Sequence, residues 1–172
     1  MDNSLNQSSE KRLFIIDNCV LEDYLKADPS LFQLIAEFVG KIHAITAVIH
    51  ESNEIKKIDY NLGLILVETE FEDALKATDL HRSISFPDAL TLLTAKRHGF
   101  TVITNDKRLR TKCAENNVST EWGLELIVEL NHNGGIPKSL AEEIGRIIRS
   151  NNPKHITLEI LEKFFTLIKI SL

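Results

Sequence analysis

Cysteine is nearly missing: Cys19 and Cys113 are the two thiols in 172 residues, and no C-x-x-C or His/Cys ligand spacing accompanies them. A disulfide framework and a zinc site are therefore not indicated, and burial as small apolar side chains is the reading for both. Four prolines and seven glycines build no repeat and no low-complexity tract, which rules out a fibrous or disordered chain. The first dozen residues are polar and lack the apolar centre of a signal peptide. No apolar run approaches the ~20 residues that span a bilayer. A soluble, cytoplasmic chain without membrane contact is expected.

Several catalytic signatures are missing as well. Gly134-Gly135 does not run directly into a phosphate-loop Lys-Ser/Thr, since Ile136-Pro137 stand before Lys138-Ser139, and there is no G-x-G-x-x-G, so neither common nucleotide-binding loop is present. No G-x-S-x-G elbow supports a serine hydrolase. His50-Glu51 is followed at position 54 by Glu, which excludes the H-E-x-x-H zinc motif. A formal charge of −5 argues against a protein that coats nucleic acid by bulk charge. It leaves open a nucleic-acid enzyme, because the distribution of charge matters as well as its sum.

What is present suits one globular domain: 43% apolar and 26% charged residues, in a chain long enough to bury about two-thirds of its unfolded surface. After a loose tail over 1–12, Leu13-Phe14-Ile15-Ile16 reads as a strand buried on both faces. Helices are expected from Asn18 to about Lys26 and from an Asp28-Pro29 start through Leu31, Leu34, Ile35 and Phe38. A short strand near Ala44–Thr46 should pass straight into a helix. Leu62–Val67 is a third strand and Glu70–Leu80 a helix. Ser85 then opens a helix that runs to His98 and stops at Gly99. Thr101–Thr104 is a β-branched strand, Asp106–Asn116 a helix, and Val118–Thr120 a last short strand. This alternation predicts a parallel sheet of four to five strands in a three-layer α/β/α fold. Beyond Trp122 the pattern is helical only: a turn at Asn131–Gly135, then helices over Pro137–Arg149 and Thr157–Ile170 divided by Ser150–Pro153. The division expected is a tail over 1–12, a catalytic domain over 13–130, and a helical extension over 131–172 packed on it.

Certain acids fall where such a sheet binds ligands, outside the carboxyl ends of its strands. Asp17 ends the first strand and Asp106 follows the fourth. Glu51 lies in the helix after the second strand, and Asp88 in the first turn of the helix that feeds the fourth. Separations of 34, 37 and 18 residues fit no single helix face. Gathered at one sheet edge, four carboxylates would need a counter-charge. Mg²⁺ or Mn²⁺ supplies one, prefers oxygen ligands, and can polarise a phosphate while activating water. Phosphodiester chemistry is the expectation.

The stretches Leu13–Asp17, Ala47–Glu51, Ser85–Leu90 and Val102–Asp106 together resemble the acidic pattern of the PIN-domain family. The most specific part runs from Ser85 to Leu109: DALxLxxAKxxG, a strand, then TNDxxL. The resemblance implies a metal-dependent ribonuclease that cleaves RNA with Mg²⁺ or Mn²⁺, often as the toxin of a toxin–antitoxin pair. Carried over, Asp17, Glu51, Asp88 and Asp106 are the metal-binding and catalytic acids, with Asp17 central and Asn18, Thr104 and Asn105 in support. The partners implied are an RNA substrate, an antitoxin protein and a second copy in a homodimer.

Other readings of the same residues stay open. Ser85 and Asp88 also form a capping box, Asp106 and Asp17 also suit helix caps, and Glu54 competes with Glu51 for the inward position. Six Lys/Arg against one acid between Lys96 and Lys112 suggest a phosphate-binding rim, with Arg108 and Arg110 foremost and Lys107 and Lys112 beside them. The bland counterpart is a solvated helix face. A haloacid-dehalogenase-type phosphatase wants a second Asp two residues after the first, where this chain has Cys19. The rival from another class is a non-catalytic PIN-like module that binds RNA or protein. Ile144, Ile147 and Ile148, or Leu161, Phe164, Phe165 and Ile168, could form a partner patch, but a packed helix pair is the preferred reading.

Overall fold

The structure, a computed structural model, describes residues 12–51, 62–80 and 82–170. In chain order its elements are β1 (Arg12–Ile16), α1 (Asn18–Ala27), α2 (Leu31–Phe38), β2 (Gly40–Ile45), α3 (Thr46–Glu51), β3 (Ile65–Val67), α4 (Phe71–Leu80), α5 (Phe86–His98), β4 (Thr101–Ile103), α6 (Lys107–Glu115), β5 (Thr120–Glu121), α7 (Gly123–His132), α8 (Lys138–Asn151) and α9 (Leu158–Lys169). Among the described residues no helix is long and apolar enough to cross a membrane.

All strand pairs are parallel, in the order β3-β2-β1-β4-β5. The apolar run Phe14-Ile15-Ile16 is fully buried because β1 lies at the centre with a strand on each side and helices over both faces. From β1 the chain winds outward through β2 to β3, then crosses to β4 and β5 on the other side. Right-handed crossovers then put helices on opposite faces in the two halves. The packing agrees: α1, α2, α7, α8 and α9 contact one another in one layer, and α4, α5 and α6 in the other. This is the three-layer α/β/α arrangement.

Some boundaries differ from the sequence expectation. The second strand starts at Gly40, not near Ala44, because Lys41 and His43 interrupt the apolar run without interrupting the ladder. Gly40 sits so close to β1 that a Cβ there would lie 2.5 Å from the Arg12 carbonyl oxygen. His43 is buried by stacking on Phe100, ring centroids 4.3 Å apart, and its Nδ1 bonds the Phe14 carbonyl at 2.8 Å. The second helix starts at Leu31 rather than at Asp28-Pro29, since Asp28 ends α1 and uses its carboxylate on the Ser30 N–H at 2.9 Å. The third strand keeps only Ile65–Val67 of Leu62–Val67. The last strand is Thr120–Glu121, one residue beyond Val118–Thr120, because Val118 turns inward to close α6 and only Thr120 and Glu121 pair with β4.

Helices α8 and α9 pack as a pair on α1 and α7. Ile144, Ile148, Leu161, Phe164 and Ile168 are buried between them. Gly145 makes the close approach possible: a Cβ there would lie 2.3 Å from Phe164 Cε1.

Candidate active site

The topology reverses between β1 and β4, whose carboxyl ends are neighbours, and an open α/β sheet leaves its ligand crevice at such a point. Asp17 leaves β1 there and Thr104-Asn105-Asp106 leaves β4. The Asp17 N–H donates to the Ile103 carbonyl at 3.1 Å, so the two strand exits are joined through the backbone. They are joined again through side chains: the buried Thr104 hydroxyl donates to Asp17 Oδ2, and the Asp106 N–H donates to Thr104 Oγ1 at 3.0 Å. One threonine thus fixes both acids.

Each aspartate also begins a helix. Asp17 Oδ1 accepts the Val20 N–H at 2.8 Å and caps α1; Asp106 Oδ1 accepts the Arg108 N–H at 2.6 Å and caps α6. Asp88 sits in the first turn of α5, its N–H on Ser85 Oγ at 3.2 Å, and its carboxylate is held in turn by Ser85. In Asp17 and Asp106 the cap bond to one oxygen fixes the carboxylate's direction. Asp106 Oδ2 bonds nothing among the described residues.

Charge couples the three. Burial, at 1% exposure, pushes the Asp17 carboxyl up to about 7, against its bonds from Thr104 and Val20, and the charges of Asp88 and Asp23 push the same way. Burial raises Asp88 as well, helped by the charge of Asp106. A crevice of about 360 Å³ lined by Arg82, Ser83, Ile84, Ser85, Asp88, Asp106 and Arg108 opens at this point.

The fourth expected acid, Glu51, is the last residue of α3; its side chain and Glu54 lie outside the described residues. Another acid takes a place that sequence reading missed. Asp23, only 4% exposed, accepts the Asn105 amide at 3.1 Å and the Asn152 amide at 2.9 Å on Oδ2, and burial raises its carboxyl. Asn105 returns its Oδ1 to the Gly123 N–H at 3.1 Å, so Asp23 braces the turn after β4. Helical phase carries the signal, since Asp23 follows Val20 by three residues on the buried side of α1.

Asn18 follows Asp17 at the start of α1, and its Oδ1 is buried with no partner among the described residues. The basic stretch is divided by the structure. Arg108 lines the crevice, and Lys107 and Lys112 line its continuation. Arg110, two residues after Arg108 and so turned to another face of α6, is held over the Trp122 ring at 4.5 Å and does not line the crevice. Arg97 is engaged at the far end of α5, its Nε 2.6 Å from Asp73 Oδ2.

The donors suit a hard cation in kind, being carboxylate, hydroxyl and amide oxygens with an orphaned Asn18 oxygen among them. Among the described residues no three His, Cys, Asp or Glu are close enough to hold an ion by themselves. Mg²⁺ commonly takes only one or two carboxylates and completes its shell with water and substrate phosphate, so this arrangement fits that ion type.

Residues 32–115 match the family model for the PIN domain. Over that span the chain is similar to the PIN domain, a nuclease-type fold, in agreement with the resemblance carried by the Ala47–Glu51, Ser85–Leu90 and Val102–Asp106 motifs. Among solved structures, the chain is similar to a PilT N-terminus domain protein from the hyperthermophilic archaeon Sulfolobus solfataricus P2, with 12% identity and a TM-score of 0.43, covering 69% of this chain and 92% of that one. Comparison with curated proteins finds no match.

Proposed function

We propose that this chain is a metal-dependent ribonuclease that hydrolyses RNA phosphodiester bonds at the β1/β4 crevice. The observation that carries the reading is the Thr104 hydroxyl bridging Asp17 and the Asp106 backbone, which holds two acids from strands far apart in sequence at one ligand-binding edge. Asp17 and Asp106 would hold the ion, with Asp88 beside them and Glu51 as the fourth acid that the resemblance implies. Bound there, Mg²⁺ or Mn²⁺ would polarise the scissile phosphate and ease ionisation of water. Asp88, raised by burial and by its neighbour's charge, orients the attacking water and holds its proton. Arg108 binds a phosphate oxygen, and Asn105, braced by Asp23, keeps the Asp106 turn rigid.

The test is cleavage of assorted RNAs by purified protein with Mg²⁺ or Mn²⁺. Asp17→Asn and Asp106→Asn should each lose at least about a hundredfold, the usual scale for removing a group that stabilises the transition state. Variants that cut as well as wild type would sink the proposal. The toxin role has its own assay: growth arrest on expression, abolished by Asp17→Asn.

A further inference from the structure

The crevice at Asp88 and Asp106 does not end there. Through Ser83, Asp106 and Arg108 it continues into a wider groove of about 660 Å³. One side of that groove is the outer face of α6, with Lys107, Arg108 and Lys112. The other side comes from a distant part of the chain: Lys154 and His155, in the turn between α8 and α9. Lys107, Arg108 and Lys154 form no ion pair with any described residue, whereas Lys112 is paired with Glu115 at 2.6 Å.

The turn is anchored to the frame of the site. Asn152 caps the end of α8, donates to Asp23 Oδ2 at 2.9 Å, and contacts Cys19 Sγ at 3.1 Å. Its carbonyl accepts the Ile156 N–H at 3.0 Å, and Ile156 is fully buried just beyond the turn. Asp23 in turn holds Asn105, next to Asp106. The two cationic walls are therefore tied to the same buried carboxylate that braces the acid-bearing turn.

We propose that the α8–α9 turn is the second wall of a polynucleotide groove, in which Lys154 and His155 contact backbone phosphates of single-stranded RNA while α6 contacts the phosphates opposite. The proposal rests on the ribonuclease reading for the chemistry at Asp106. Unpaired cations on facing walls beside a cleavage site place successive phosphates and give affinity without base specificity. The C-terminal helices then belong to substrate binding as well as to the core.

The test uses the full chain in EDTA, so that nothing is cut, and a fluorescein-labelled oligouridylate read by anisotropy across a NaCl series. Lys154→Ala/His155→Ala should bind several-fold more weakly at low salt, and the slope of log K against log [salt] should fall by about 0.7 for each phosphate no longer neutralised. Lys154→Glu should weaken binding further, and both variants should melt within a few degrees of wild type. Equal affinity and slope in the variants overturn the second wall and leave the ribonuclease reading standing. Weakened binding in the variants, with no cleavage by wild type in Mg²⁺ or Mn²⁺, upholds the groove and overturns the ribonuclease reading. A wild type that does not bind the probe overturns the groove altogether.

Discussion

Thr104 donates its hydroxyl proton to Asp17, 87 residues earlier in the chain, and with the same oxygen accepts the backbone N–H of Asp106. Thr104→Val keeps the shape and removes the hydroxyl. It leaves a carboxylate oxygen and a backbone donor short of a partner in a buried place, a loss of about 1–3 kcal/mol. Urea unfolding should show it, and cleavage should fall as the two acids lose their common fixed point. Unchanged stability and rate would mean that the bridge holds nothing.

Asp106→Asn separates capping from chemistry. Asparagine caps helices about as well as aspartate, and α6 needs only the oxygen that accepts from Arg108 and Leu109. Stability should change by less than about 1 kcal/mol while cleavage is lost. A large drop in melting temperature would make Asp106 chiefly structural.

Without a divalent ion the site opposes folding at high pH. The Asp17 carboxyl moves from its ordinary 3.8 up to about 7 on folding, so its contribution favours the native state below about 3.8 and is lost as pH rises through 7. Asp23 and Asp88 shift in the same direction. Metal-free protein should therefore melt lower at about pH 8 than at about pH 6. Asp17→Asn should flatten that dependence and melt higher than wild type at the alkaline end in EDTA. A flat wild-type profile would contradict the buried charge.

Gly145→Ala probes the attachment of the last helices. The new methyl would meet Phe164, a buried ring with little room to move, at a cost of about 1–3 kcal/mol. Chemical denaturation should register that loss, and a neutral substitution would mean that α8 and α9 are looser than they look.

The order of elements and most helix boundaries, though not the start of α2, were legible because their signals are local. Ser85 with Asp88 and Gly99 mark both ends of α5, and the left-handed backbone of Gly99 (φ 70°) confirms the stop. That Asp17, Asp88 and Asp106 stand at a strand end or a helix start was legible because such positions can be read from pattern alone. Asp23 was not, since a carboxylate inside a helix looks like one solvated charge until Asn105 and Asn152, far along the chain, arrive beside it. The placement of Arg110 was hidden for a related reason: a run of cations gives local charge but not which face of α6 each one takes, and this one lies over Trp122. The start of β2 was hidden because Lys41 and His43 break the apolar pattern while the register with β1 continues through them.

The span matched by the family model begins at residue 32, yet the strand at the middle of the sheet is Arg12–Ile16. A fragment trimmed to the matched span would lack Asp17, and it would also leave β2 and β4 without the strand that both hydrogen-bond. Two bare, apolar edges would then face each other across an empty slot, the condition in which strands pair with other molecules and precipitate. The unit to express and to move between proteins is therefore set by the position of β1, and its N-terminal limit lies before Arg12.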